Sequence, residues 1–409
     1  MTFGLVYAAF ATGYFLSYLF RTVNAVISPD LTRDLALNPA SLGLLTGAYL
    51  LAFGAMQVPA GMLLDRYGPR RVEPVLLCIA GLGAIAFGLA ESLPGLIVAR
   101  AAIGMGVCVC LMAPLKAIAM WYPPERQPSI AGWIMVAGGI GALAATAPLE
   151  AALHFVSWRT IFFILGAATL AVGVTIAWVV PDMPPRAHPS GFAAQWAGVR
   201  HVFRHPRFWW IAPLAAFGMG SFMAIQGLWA VPWMLDVDGL TRSAAADRLL
   251  VLGVVMIGGY ASLGLFSARL SRRGVTPRHL FAGGFTLYTA ALAAIVAEIP
   301  GSYLWWSLCG LGAVVNVLGF TVLNVGFRSE FTARANTSLN VLMFGGSFAT
   351  QWGIGVIAES AREALGWNTG AGLKLAFGLV LALNALALGW FAWGWRRHGA
   401  PVVASAAPA

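Results

Sequence analysis

Twelve stretches of this chain run for about twenty residues or more with few polar side chains. They lie near residues 4–28, 41–64, 71–92, 94–121, 128–153, 157–181, 207–235, 244–268, 277–298, 301–327, 335–358 and 371–395. A run of that length is what an α-helix needs to cross the hydrocarbon core of a bilayer. Backbone groups in lipid must be paired inside the protein, so only helices and closed barrels span it, and these runs are too long for barrel strands. The expected fold class is therefore an all-α membrane protein with twelve transmembrane helices. Composition agrees: 59% of residues are hydrophobic and 10% charged, where soluble domains carry about 25% charge. Disorder, a disulfide scaffold and an ordinary soluble enzyme are excluded. The first run lacks a basic leader and a small-residue cleavage site, so it reads as a spanning helix and not as a cleaved signal.

The longest polar interruption, 182–206, divides the chain six plus six. The expected organisation is a six-helix bundle over 1–181, a cytoplasmic linker over 182–206, a second bundle over 207–397 and a disordered cytoplasmic tail over 398–409. The stretch from Phe192 to Phe203 alternates aromatic and basic residues, as an interfacial helix does. The net charge of +10 would point to nucleic acid in a soluble chain. Here it has another source. With both termini cytoplasmic, sixteen basic loop and tail residues fall inside and six outside, as the positive-inside rule requires. The expected location is the cell (inner) membrane, with the lipid bilayer as partner and no nucleic acid. Cys78, Cys108, Cys110 and Cys309 all sit in apolar runs without metal-binding spacing, so neither a metal, another cofactor nor a disulfide is expected.

Three motifs narrow the class. Between runs two and three stands Gly61-Met-Leu-Leu-Asp65-Arg66-Tyr-Gly68-Pro-Arg70-Arg71. Gly61 allows close helix approach, Asp65 can accept from an arginine or a helix terminus, and Gly68 permits a tight turn. A degraded copy, Gly264 to Gly274 with Ala268 in place of the aspartate, occupies the equivalent position in the second half. The third is Arg100-Ala-Ala-Ile-Gly104-Met-Gly106. With the twelve-run plan, the G-x3-D-R-x-G-x-R-R spacing resembles the signature loop of the major facilitator superfamily. The resemblance implies two pseudo-symmetric six-helix bundles around a midplane cavity, a transporter and not an enzyme, and a conformational latch at Gly61, Asp65, Arg66, Gly68, Arg70 and Arg71. Arg100 matches the R-x3-G-x-G pattern of the same superfamily. Two readings of it stay open, a part in that coupling machinery and a side chain that snorkels to the interface.

Arg21 is the residue expected to touch cargo. It lies about 17 residues into the first run, where an arginine against lipid costs several kcal/mol and so faces the bundle interior or a wet cavity. Tyr14, Tyr18 and Arg21 share one helix face, with Asn24 near it. A cation flanked by hydroxyls and an amide is a cradle for an oxyanion. The pattern G-Y-x3-Y-x2-R-x-N-x4-P-x-L resembles helix one of the organophosphate:phosphate antiporters and the related anion:cation symporters, whose matching arginine binds the substrate anion. Phosphate-ester carriers carry a lysine where this chain has Gln57, and a second arginine in helix seven, where Met223 to Gly227 offers no charge. A carboxylate or zwitterion therefore suits the site better than a phosphate dianion. Gln57-Val-Pro59-Ala-Gly61 and the P-L then W-R pattern of Pro148-Leu149 and Trp158-Arg159 resemble the symporter branch. The glycine-proline motif of drug antiporters is missing.

Other polar residues complete the candidate cavity: Lys116, Gln226, Trp229, Asn316 and Asn340. Lys116 either snorkels or lines the inner vestibule, and the amides serve equally well as glue between helices. No Asp or Glu is read in the middle of a run. Glu150, Glu298, Glu330 and Glu359 sit at ends, so coupling falls to a protonated substrate, an exchange reaction or an end carboxylate. The expected function is secondary active transport of a small organic anion or zwitterion by alternating access, with import favoured and a proton as candidate co-substrate, by a monomer. The alternative is an efflux pump of the same superfamily for drugs or metabolites.

Overall fold

The computed structural model describes residues 3–123, 126–182, 200–325, 327 and 329–398. The expected tail and most of the 182–206 linker, with the proposed interfacial helix up to residue 199, lie outside the described residues. Twelve long helical elements follow one another, with a short helical segment at 200–204 before the seventh. They are α1 (Phe3–Leu35), α2 (Pro39–Tyr67), α3 (Pro69–Leu89), α4 (Leu93–Trp121), α5 (Gln127–Ala144 and Ala147–Leu153), α6 (Trp158–Val179), α7 (Pro206–Asp236), α8 (Arg242–Arg272), α9 (Pro277–Val296), α10 (Ser302–Asn324), α11 (Ser329–Leu365) and α12 (Thr369–His398). Ten of these are long and apolar enough to cross a membrane, and the bent α5 pair makes eleven. The remaining helix is the 33-residue α1.

Local chemistry sets the starts. Asn38, Ser92, Ser157 and Thr241 each accept a backbone N–H from the first turn of the helix they precede. Proline occupies the first turn of α2, α3, α4 and α9, where its missing N–H is harmless. Gly68 ends α2 and opens α3 at φ +79, a left-handed-side conformation that a Cβ would strain.

Several helices outrun their apolar stretches. Helix α1 continues to Leu35, α8 to Arg272, and α11 covers 37 residues. Hydrophobicity marks only the part in lipid; backbone hydrogen bonding carries the helix on into the polar interface. Four helices are also interrupted, which the runs did not reveal. Helix α4 breaks between Val107 and Met112, and α5 bends by 42° at 145–146. Helix α7 holds a π-turn at Ile225–Trp229, and α10 a 3-10 turn at Val314–Val317. Such turns recur at functional sites.

An even number of crossings puts both termini and the Gly68 turn at one end, called here the terminal end. Two antiparallel seams join the halves. Helix α2 runs along α11, and α5 approaches α8. At the opposite end the first seam is tight: a Cβ on Gly43 would lie 2.7 Å from the Gln351 carbonyl oxygen. It continues through Phe53 against Phe344, ring centroids 4.4 Å apart, to Gln57, whose Oε1 accepts from Asn340 at 3.2 Å. One turn further on, no atom comes within 4 Å of where a Cβ on Gly61 would stand. The second seam likewise closes at Gly253 against Leu143 and at Gly139 against Ile257. The halves are thus sealed at the end opposite the termini and parted at the terminal end.

Candidate functional site: a guanidinium between the halves

Arg21 lies where the two halves meet. Its guanidinium carbon stands 4.5 Å from the centre of the Tyr18 ring, 5.0 Å from Phe53 and 5.6 Å from Phe344. The first two rings belong to the first half, the third to α11 of the second. Its Nε is buried without a hydrogen-bond partner. Among the described residues no carboxylate pairs with it; its electrostatic neighbours are the phenols of Tyr49, Tyr18 and Tyr14. The phenol of Tyr260, from α8, is within electrostatic reach of both Tyr18 and Arg21. Cation–π contacts hold a desolvated guanidinium at about 2 kcal/mol each; the Tyr49 hydroxyl is in hydrogen-bonding reach of it, while the Nε–H is left for an oxyanion.

The other helix-one candidates divide. Tyr14 packs edge-on to Tyr18, centroids 5.1 Å apart, and is itself buried against Met135 of α5. Asn24 faces away from the rings: its amide donates to Thr46 at 3.1 Å and ties α1 to α2. Gln57 and Asn340 bond to each other across the seam. Trp229 donates to the Gln351 carbonyl oxygen at 2.8 Å and so fastens the π-turn of α7 to α11. Gln226 reaches Met256 and lines a narrow cleft with Thr22, Thr146 and Leu249. Asn316 donates to its own Ala313 carbonyl oxygen within the 3-10 turn, and its Oδ1 is unpaired.

The loop residues form a separate cluster at the terminal end. Lys116 reaches toward the terminal end: its Nζ donates to Asp65 at 2.5 Å and to the Leu64 carbonyl oxygen at 2.7 Å. It clamps the end of α2 to α4. Arg70 donates to the Ala177 carbonyl oxygen, and both Arg70 and Arg71 pair with Asp182. Arg66 stacks on Tyr67.

Arg100 does not reach the interface. It is fully buried, donates to the Phe20 carbonyl oxygen at 2.7 Å and stands 4.8 Å from the Tyr49 ring. It is remote from the Asp65 turn. Tyr49 is therefore flanked by Arg100 and Arg21, while its hydroxyl donates to the Ser17 carbonyl oxygen. The glycines after Arg100 explain the motif's spacing, since a Cβ on Gly104 would collide with the Tyr49 backbone.

At the sealed end, Arg242 of α8 pairs with Asp30 of α1 at 2.6 Å and also donates to the Val26 carbonyl oxygen. Glu150 lies 3.9 Å from the same guanidinium. Trp158 donates to Asp34, and Arg159 to the Gly88 and Ala90 carbonyl oxygens, so the tryptophan–arginine pair braces this end. One carboxylate near a helix end is not solvated: Glu73, one turn inside α3, is fully buried. The side chain of Glu330 lies outside the described residues. Tyr49, Phe53, Tyr260, Phe344 and Glu73 were all missed from sequence.

Two six-helix halves, sealed together at one end around an unpaired cation, define a multi-pass membrane transporter and not an enzyme. The chain belongs to the Major Facilitator Superfamily, whose sequence profile matches residues 10–351. It is 26% identical to a probable sulfoacetate transporter of Cupriavidus necator, over 71% of this chain and 70% of that protein. It is 28% identical to the hexuronate transporter of Escherichia coli K12, over 57% of this chain and 58% of that protein. The multidrug resistance protein Stp of Mycobacterium tuberculosis is 26% identical over 83% of this chain and 65% of its own length. Overall the chain spans about half to 70% of the length of the curated relatives it matches. A bacterial homologue of the human lysosomal transporter Spinster shares the fold, with a TM-score of 0.75, 20% identity and 96% of each chain covered.

Proposed function

We propose that this transporter moves a small organic anion or zwitterion across the cytoplasmic membrane by alternating access. Import is the favoured direction, and the working unit is a monomer with both termini in the cytoplasm. The observation that carries this reading is the Arg21 guanidinium, held between the halves on three aromatic faces with no carboxylate among the described residues to neutralise it. A single cation suits one carboxylate better than a dianion. The rings of Tyr18, Phe53 and Phe344 suit the apolar side of a cyclic or aliphatic acid. Among its relatives the hexuronate transporter is named for an acid with one carboxylate on a ring. With the termini inside, the parted end faces the cytoplasm, as in an importer about to release its load.

The test is a thermal-shift screen of the purified protein against glucuronate (a hexuronate), sulfoacetate and simple carboxylates, repeated with Arg21→Ala. A ligand at a hundred times its Kd stabilises the native state by about 2.7 kcal/mol. The expected result is stabilisation by at least one acid that disappears in Arg21→Ala. Equal stabilisation of both proteins clears Arg21 of the role. The aromatic lining and the resemblance to Stp favour a second reading, export of an apolar compound. Drug resistance conferred on cells without acid uptake would decide for it.

A further inference from the structure

Glu73 lies one turn inside α3, fully buried, and among the described residues neither carboxylate oxygen has a charged partner, the weakly donating Cys110 thiol being the polar group that reaches it. The helices around it offer no counter-charge. From α1 comes Gly13, where a Cβ would stand 3.3 Å from Oε1, and from α6 comes the apolar Val172 beside the same position. From α4 comes the Cys110 thiol, in the interruption of that helix, within electrostatic reach of Glu73 on one side and Arg21 on the other. The basic residues of α3 and α4 are engaged elsewhere: Arg70 with Ala177 and Asp182, Arg71 with Asp182, Lys116 with Asp65, Arg100 with Phe20 and Tyr49. A buried carboxylate without a counter-charge keeps its charge only at high cost, and a bound proton removes that cost.

We propose that Glu73 is the proton site of this transporter, filled together with the cargo anion, so that acid and proton cross as a pair. The proposal rests on the reading of Arg21 as the anion site. The proton comes from solvent on the side where cargo enters, sits on the carboxylate, and leaves to solvent on the other side; no bond in the cargo changes.

The link between the two sites is electrostatic. Gly13, beside Glu73, and Arg21 are eight residues apart on α1, roughly 12 Å along its axis. With cargo absent, the guanidinium favours the ionised carboxylate. A bound anion neutralises the guanidinium and favours the protonated form. Over roughly 12 Å at an effective dielectric near 20, one unit charge changes an equilibrium constant about tenfold. By reciprocity, protonation of Glu73 tightens anion binding by the same factor. Affinity for the acid therefore rises as pH falls.

The experiment measures glucuronate and sulfoacetate binding to the wild type, to Glu73→Gln and to Arg21→Ala between pH 5 and 8. Proton uptake on ligand addition is followed in weak buffer with a dye. The wild type should take up as much as about half a proton per anion, the most a tenfold coupling allows, and bind about tenfold tighter at the acid end. Glu73→Gln, which imitates the protonated acid, should bind tightly at every pH without proton uptake. In proteoliposomes it should still exchange labelled for unlabelled acid, yet fail to accumulate it on a proton gradient. No proton uptake by the wild type overturns the proposal, and that measurement needs no variant to fold. So does a Glu73→Gln protein with wild-type pH dependence. Undiminished anion binding by Arg21→Ala instead overturns the reading of the anion site, an outcome distinct from either.

Discussion

Arg21 shows how far one helix can be read alone. Tyr14, Tyr18 and Arg21 were legible because spacings of three and four place them on one face, and a lone cation in a long apolar run demands a reason. Phe53 and Phe344 were not legible. Each is an ordinary apolar residue until the other half arrives, and it is tertiary packing that brings both rings to the guanidinium. Glu73 was missed for a different reason. It stands two residues after Arg71 at the edge of an apolar run, where a charged residue reads as solvated. Because the site uses the planar guanidinium against three rings, Arg21→Lys should lose about tenfold or more in acid affinity while keeping some binding. An ammonium cannot stack or offer a fork of donors. Titration of the purified variant with glucuronate measures it; undiminished affinity would mean that charge alone suffices.

At the scale of the helix, glycines decide how the rods fit. The spacing of Gly104 and Gly106 after Arg100 was visible, but its meaning was not. Gly104 lies against the Tyr49 backbone, so α4 and α2 meet without side chains between them. Gly104→Val should cost about 1–3 kcal/mol through overpacking and shift Arg100 on the Tyr49 ring. A lower melting temperature in detergent would show it. Gly61 makes the opposite case. It faces open space in this conformation, so Gly61→Leu should leave the melting temperature nearly unchanged. If the terminal end must close during the cycle, the same substitution should cut the transport rate by tenfold or more. Unimpaired transport would show that α2 never packs closely there. Gly227 and Pro232 mark α7 as a bendable helix, but the π-turn there and the 3-10 turn of α10 carry no hydropathy signature, so the apolar runs did not show them.

For the whole molecule, the seal opposite the termini rests on few polar contacts. The Arg242–Asp30 pair, with the Val26 carbonyl oxygen on the same guanidinium, joins α8 of one half to α1 of the other. Twelve helices in two halves could be counted from the sequence, and the loop charges ordered them. Which end would be shut could not be counted, because both ends are built from similar residues. A partly buried charge-assisted pair of this kind contributes about 1–3 kcal/mol. Arg242→Ala should therefore move the balance between the two closures by about tenfold toward the state open at the Asp30 end. Spin-label distances across that end, compared with the wild type, provide the check. An unchanged distribution would assign the seal to the α2–α11 seam alone.

The π-turn at Ile225–Trp229 has one more consequence. There the Ala230 N–H reaches back five residues, to the Ile225 carbonyl oxygen, so the turn accommodates a residue that a regular helix would leave out. Removing one residue from the middle of a spanning helix normally swings everything beyond it through about a quarter turn. Here the deletion should simply close the bulge. Trp233 would stay against Phe377, and a chain shortened within Ile225–Trp229 should still insert and fold, where the same deletion ten residues earlier should not.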